Sequence, residues 1–138
     1  MDTTLGWLNV TFPQLLRFSD LALFVLRLVV ALVFGASGYF HVRDPVGRAK
    51  SVELSPGATR GLGIAELTGS LGLVTGILIQ PAALGLILVG LGAIQKKAMV
   101  WKTGFWGEKS SGWHYDLMLL VMNLVILCTG GGSLVLRL

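Results

Sequence analysis

Residues 61–79 read GLGIAELTGSLGLVTGILI, a run of glycine, small residues and aliphatics that contains a single glutamate, Glu66. An apolar helix of this length can cross roughly 30 Å of hydrocarbon. A charged side chain near the centre of such a span costs about 3 kcal/mol on insertion scales. The setting of this segment, in water or in lipid, therefore decides both the fold and the role of the carboxylate.

The composition of the whole chain favours lipid. Of its 138 residues, 54% are hydrophobic and only 13% are charged, and the mean hydropathy is +0.77. A soluble domain carries roughly 25% charged residues. Three more apolar runs accompany the first. The sequence therefore predicts an all-α fold, an integral membrane four-helix bundle with antiparallel up-down spans at about 21–41, 60–79, 82–100 and 115–129.

The flanks of the spans complete the predicted organisation. A Trp- and Phe-containing N-terminal segment has the mixed character of chain that lies in the membrane interface. Ser19 or Asp20 is predicted to cap the first helix, and Ser55 to cap the second, with Pro56 at its first position. The predicted units are an interfacial segment at 1–20, a transmembrane domain at 21–132 and a short tail at 133–138.

The basic residues are distributed unevenly between the two ends of such a bundle. We call the end that carries the loops at 41–60 and 96–114 the loop side, and the end that carries both termini the terminal side. Eight of the eleven Lys and Arg residues fall on the loop side, and the terminal side has only Arg17, Arg27 and Arg137. The positive-inside rule then predicts cytoplasmic loops and external termini. The net charge of +4 is interpreted as attraction to the lipid bilayer, and no nucleic-acid partner is expected.

The predicted topology brings several polar residues to the level of Glu66. They lie at the loop-side ends of the other spans: His41, Gln95, Lys96, Lys97, His114, Tyr115 and Asp116. The hypothesis is a polar cluster organised around Glu66, with no catalytic residue assigned. The alternatives stay open: Glu66 as a structural anchor paired with a lysine, Lys96 and Lys97 as snorkelling topology markers, and His41 and His114 as interfacial histidines. No metal site is predicted.

Two further polar residues, Arg27 and Asn123, lie within apolar runs, nearer the terminal side than the loop side. Asn123 or backbone carbonyls are the expected partners of Arg27, and Asn123 is expected to bond between helices. Small residues at helical spacing predict helix-packing strips, Ala65 with Gly69, Gly72 and Gly76 in the second span and Gly85 with Gly92 in the third.

Common cofactor and catalytic motifs are absent from the sequence. It contains no P-loop, no dinucleotide-binding glycine motif, no zinc-ligand spacing and no Ser-His-Asp set. The single cysteine, Cys128, excludes an intrachain disulfide and a CxxC redox pair, and its place in an apolar run predicts a buried thiol.

Three stretches together resemble the DoxX/DoxD-like family of bacterial membrane proteins: LRLVVALVFGASGYFHVRDP at 26–45, GIAELTGSLGLVTGIL at 63–78 and KTGFWGEKSSGWHYDLMLLVMNL at 102–124. The resemblance covers roughly 21–132 and implies a four-helix protein of the bacterial inner membrane. Arg27, Glu66, Gly69 and Gly76 occupy its motif positions. Many members have an acidic residue near the start of the fourth helix, where this chain has His114 and then Asp116, so the chemistry of that end stays open.

The resemblance also implies a setting in membrane-associated redox complexes. The first hypothesis is a membrane-anchoring subunit of an oxidoreductase or electron-transfer complex, with other redox subunits as partners and a quinone-accessible polar pocket near Glu66, His41 and His114. Whether the chain is an enzyme on its own stays open, although the residues favour a subunit without a redox group. The alternative is a non-catalytic scaffold or accessory subunit. A small-solute or proton conduit along Arg27, Asn123 and Glu66 is the third hypothesis.

Overall fold

A computed structural model describes residues 10–107 and 111–136. Within these residues the chain is all-helical, with no strand, which confirms the predicted fold class at the level of secondary structure. A short 3₁₀ helix at Pro13–Phe18 precedes five α-helices, and a π-helical turn at Lys96–Val100 extends the fourth. The α-helices are α1 Ser19–Arg43, α2 Pro45–Val52, α3 Pro56–Thr75, α4 Ile79–Gln95 and α5 His114–Thr129.

Local sequence explains some of the helix ends. The Ser55 side chain accepts a hydrogen bond from the Ala58 amide at 3.1 Å, and Pro56 follows it, which confirms the predicted start of α3. The predicted side-chain cap of α1 was wrong. That helix continues directly from the 3₁₀ turn, and the Asp20 carboxylate accepts from the distant Ser133 amide at 3.0 Å.

The predicted loop at 41–60 contains α2, which the sequence analysis did not anticipate. Asp44 caps its first turn by accepting from the Gly47 amide at 3.1 Å. At its other end, the Lys96 ammonium donates to the carbonyls of Val52 and Glu53 at 2.8 and 2.9 Å. A cation is favourable at a helix C-terminus, where carbonyls lack intrahelical partners. Lys96 thus fastens α2 to the end of α4.

The closest helix crossing joins α1 to α3 through two glycines. A Cβ atom on Gly38 would lie 2.7 Å from the Gly63 carbonyl oxygen, and a Cβ on Gly63 would lie 2.7 Å from the Gly38 oxygen. Further along the pair, Gly35 faces Ser70. The two helices therefore run in opposite directions, in backbone contact on the loop side.

A three-residue turn connects α3 to α4. The turn depends on left-handed backbone at Gly76, with φ of +81°, and at Leu78, with φ of +53°. The second span therefore ends at Thr75 rather than 79, and the third begins at Ile79 rather than 82. Beyond this turn, α4 packs on α5 around a buried core of Val30, Ala31, Phe34, Leu73, Ile79, Ala83, Leu86, Leu119 and Ile126.

The chain after α5 folds back across the terminal side. Gly130, Gly131 and Gly132 all have φ between +78° and +87°. They direct residues 133–136 over the end of the helices, where the Leu136 amide donates to the Thr75 carbonyl at 2.7 Å. We call residues 130–136 the strap. Residues 1–9, with Trp7 of the predicted interfacial segment, and the last two tail residues lie outside the described chain.

Length and hydropathy identify two helices in the described chain that could cross a membrane, Pro13–Arg43 and Ile79–Val100. Helix α5, His114–Thr129, is apolar but shorter. Glycine and polar residues lower the hydropathy of α3. The predicted buried thiol was wrong, because Cys128 is exposed on α5.

Candidate functional site

A cavity of about 700 Å³ lies on the loop side of the helices. All five α-helices contribute to its walls, which are mostly apolar and include Phe34, Leu88 and Leu119. The polar side chains that line it are Ser37, His41, Arg48, Glu66, Gln95, Lys96, Lys97, Tyr115 and Asp116. A mostly apolar cavity with a few converging polar groups is the usual form of a small-molecule site.

Glu66 lies on the inner face of α3 and is only 3% exposed. It stands one helical turn after Gly63, so the glycine crossing that joins α1 to α3 also brings the carboxylate close to α1. His41 of α1 meets it there, with Nδ1 of the ring 4.0 Å from Oε2 of the carboxylate. Both side chains are almost fully buried. The structure therefore pairs the two residues inside the cavity.

The hydrogen bonding of His41 fixes the orientation of its ring. Nδ1 lies 2.6 Å from the Ser37 carbonyl oxygen, which can only accept. Nδ1 therefore carries the hydrogen, and in the neutral ring Nε2 has a free lone pair. No described residue bonds to Nε2, and the same is true of Oε2 of Glu66. Both atoms are buried.

The two lysines and Asp116 line the same cavity but already have protein partners. The Lys97 ammonium lies 2.8 Å from the Asp116 carboxylate, and both are largely buried. Lys96 donates to the two carbonyls at the end of α2. Neither lysine forms an ion pair with Glu66 among the described contacts.

His114 does not line the cavity, although the sequence analysis placed it in the cluster. Its Nδ1 lies 2.7 Å from the Phe105 carbonyl oxygen. Its ring packs against Trp106, with centroids 5.3 Å apart. It belongs to an aromatic group at the start of α5. Among residues 10–107 and 111–136, no group of three His, Cys, Asp or Glu side chains could hold a metal ion.

Arg48 and Ser37 are cavity residues that the sequence analysis missed. Arg48 lies on α2, within the segment predicted as loop, so no sequence pattern indicated that it would line a cavity. Ser37 lies one turn before His41 on α1. That spacing could have revealed it, because residues four apart share a helix face.

Arg27, on the other side of the molecule, is fully buried and bonds to backbone carbonyls. It donates to the Leu73 oxygen at 2.8 Å and to the Leu134 oxygen of the strap. Backbone carbonyls were one of its two predicted kinds of partner. Asn123 was expected to bond between helices, and that was wrong, because its amide donates to the Leu119 carbonyl within its own helix at 3.1 Å.

Of the two predicted packing strips, the one on α3 makes close contacts and the one on α4 does not. Gly69 packs on Leu86 and Gly72 on Ala82, each with 3.0 Å to an added Cβ, and Gly76 lies under Val135 of the strap. Gly85 and Gly92 take no part, since a Cβ on either meets no described atom within 4 Å. The surfaces that face the α3 glycines are Leu86 and Ala82, not a second glycine strip.

Comparison with known proteins gives one match. A sequence model of the DoxX-like family matches residues 25–128, which begins within α1, ends within α5 and includes all the cavity residues named above. No curated protein and no solved structure matches the chain. The family match and the two long apolar helices support a membrane protein. The match extends over most of the sequence, so this chain belongs to the DoxX-like family.

Proposed function

We propose that the protein is a membrane-anchoring subunit of an oxidoreductase or electron-transfer complex, and that its loop-side cavity binds a quinone. The observation that carries the proposal is the cavity itself. It is large enough for a quinone ring, has mainly apolar walls, and contains a buried carboxylate and a buried histidine with atoms that no described residue satisfies.

In this proposal the helices α1, α3, α4 and α5 are four antiparallel spans in the bacterial inner membrane. Large apolar side chains on three of these helices point outward and support a lipid-facing surface: Leu32 is 73% exposed, Leu71 64% and Leu88 62%. The excess of Lys and Arg on the loop side supports cytoplasmic loops and external termini.

The chain supplies the binding site and a partner supplies the electrons. Ser37 and the glycine crossing hold His41 and Glu66 in place, and the apolar walls keep water away from the ring. A partner subunit with its own redox group, docked at the loop side, would exchange electrons with the quinone.

Carbodiimide labelling tests the quinone site directly. The reagent modifies carboxyl groups, and the modified residues are quantified by mass spectrometry of the purified protein in lipid nanodiscs. Addition of a short-chain quinone is expected to protect Glu66. Asp20, on the terminal side and bonded to Ser133, and Glu53, exposed beyond the end of α2, are internal controls that quinone leaves unchanged. Equal labelling of Glu66 with and without quinone would overturn the proposed site.

Purification from native membranes in mild detergent tests the subunit role. Mass spectrometry is expected to find a redox protein that stays bound at a fixed ratio. Protein that purifies alone, yet shows quinone protection of Glu66, would retain the site and remove the subunit role.

A scaffold role is the second candidate, and one feature favours it. An apolar groove of about 580 Å³ runs between α3 and α4 and is lined by small residues, among them Ala65, Gly72 and Ala82. Small residues let another helix approach closely. A scaffold predicts stable partners with no effect of quinone on Glu66. The strap across the terminal side argues against a conduit.

A further inference from the structure

The cavity has a specific pattern of unsatisfied hydrogen-bonding atoms. Three buried side-chain atoms that line it have no hydrogen-bond partner among the described residues: Nε2 of His41, Oε2 of Glu66 and Nε of Arg48. A fourth, Oδ2 of Asp116, faces the Lys97 ammonium at 2.8 Å. An unsatisfied buried polar group is destabilising, so the three atoms together favour a polar ligand.

The chemical types of two of these atoms, in His41 and Arg48, restrict what that ligand can be. Nε2 of neutral His41 is an acceptor only, because the ring hydrogen is on Nδ1 and is given to the Ser37 carbonyl. Nε of Arg48 is a donor only. A carbonyl oxygen can accept from Arg48 but leaves His41 unsatisfied. A hydroxyl group donates one hydrogen bond and accepts others, so it can satisfy either atom.

We propose that the cavity preferentially binds the hydroxyl form of its ligand, an aromatic alcohol such as a quinol, through a hydroxyl that donates to Nε2 of His41. This inference rests on the proposed quinone site and specifies which of the two redox forms that site prefers. The apolar walls around Phe34 hold the ring in either form. The selectivity comes from His41, because the backbone carbonyl of Ser37 fixes its tautomer.

A pair of redox-inert probes separates the hydroxyl from every other property of the ligand. These are 4-dodecylphenol and its methyl ether, 4-dodecylanisole, which have the same ring and chain but differ in the ability to donate. The measurement is the probe concentration that half-protects Glu66 from carbodiimide in nanodiscs, with Asp20 as the internal standard. We expect a concentration about fivefold lower for the phenol, the effect of one net hydrogen bond.

Two substitutions at one position test the assigned atom. His41→Asn retains an amide near Nδ1 for the Ser37 carbonyl and removes the acceptor at Nε2, so the preference for the phenol should disappear. His41→Gln places an amide oxygen near Nε2 and should retain it. If neither variant folds, the ratio of the half-protecting concentrations of phenol and ether in the parent protein still tests the hydroxyl preference.

The outcomes separate this inference from the proposed function. Equal protection by phenol and ether, or stronger protection by quinone than by quinol, would overturn the hydroxyl preference and leave the quinone site standing. Loss of the preference in His41→Gln as well as in His41→Asn would overturn the assignment to Nε2. If quinone, quinol and both probes all fail to protect Glu66, the proposed function itself fails.

Discussion

The two ends of the molecule each bury an ionisable side chain, but they do so in different ways. On the terminal side, Arg27 donates to two backbone carbonyls from separate parts of the chain, while its Nε has no partner among the described residues and lies outside the loop-side cavity. On the loop side, Glu66 and His41 keep atoms that no described residue satisfies, next to a cavity. A buried charge used by the backbone stabilises a fold, whereas buried polar atoms left free beside a cavity mark a site.

The largest expected effect comes from Gly63→Val, which would break the loop side itself. The added side chain meets the Gly38 carbonyl, so α1 and α3 must separate. We expect a loss of about 3 kcal/mol or more in the free energy of unfolding. Gly61→Val is the matched control in the same helix, because a Cβ there meets no described atom within 4 Å. Thermal unfolding of both variants in nanodiscs checks this, and equal stability would contradict the glycine crossing.

Arg27→Met tests the opposite end. It removes the donors to Leu73 and Leu134, and a hydrogen bond from a charged group contributes about 1.5–3 kcal/mol. We expect a loss of about 2–3 kcal/mol and faster removal of the strap by carboxypeptidase. The control is Arg17→Met, since Arg17 is exposed. Unchanged stability and unchanged cleavage of the strap would show that Arg27 does not anchor it.

Glu66→Gln tests whether this carboxylate contributes to ligand binding or, like Arg27, to the stability of the fold. The substitution retains the shape of the side chain and replaces one acceptor with an amide donor. Quinone affinity should fall about fivefold, while the free energy of unfolding changes by less than about 1 kcal/mol. Quenching of the tryptophan fluorescence reports the binding, because Trp101 lines the cavity. Glu53→Gln should change neither quantity. A large loss of stability in Glu66→Gln would assign this carboxylate the same structural role as Arg27.

The smallest effect compares two glycines that the sequence analysis treated alike. Gly85→Ala places a methyl group in open space and should stabilise α4 by about 0.5–1 kcal/mol. Gly69→Ala forces Leu86 to move and should cost about 1 kcal/mol. Thermal unfolding of the two variants should therefore shift in opposite directions. Equal shifts would mean that packing on α3 does not depend on small residues.

The sequence predicted the helical class, the approximate helices and the inward position of Glu66, because apolar length and the cost of a charge in lipid are properties of a single segment. It predicted the Ser55 cap for the same local reason. The glycine crossing was not predicted. Several glycines lie on α3, and only the tertiary packing selects Gly63 rather than Gly72 as the contact with α1.

The errors on the loop side have a similar origin. Arg48 was missed because α2 is short and polar, so its sequence looks like loop, and only its packing against α3 turns one face inward. His114 was placed in the cluster from its depth along the spans alone. Depth does not reveal that its ring bonds to the nearby Phe105 carbonyl. The strap is held by contacts between residues far apart in sequence, such as Asp20 with Ser133, 113 residues apart, which no local pattern encodes.

The strap has a consequence for how the chain is made. Arg27 and Leu134 are 107 residues apart, and a ribosome adds roughly 5–20 residues per second. Arg27 is thus synthesised about 5–20 s before its last acceptor exists. In a membrane-inserted chain, the first helix must wait through that interval with a charge that is costly in lipid. Biogenesis of this protein would then depend on the insertion machinery sheltering Arg27 until Leu134 emerges.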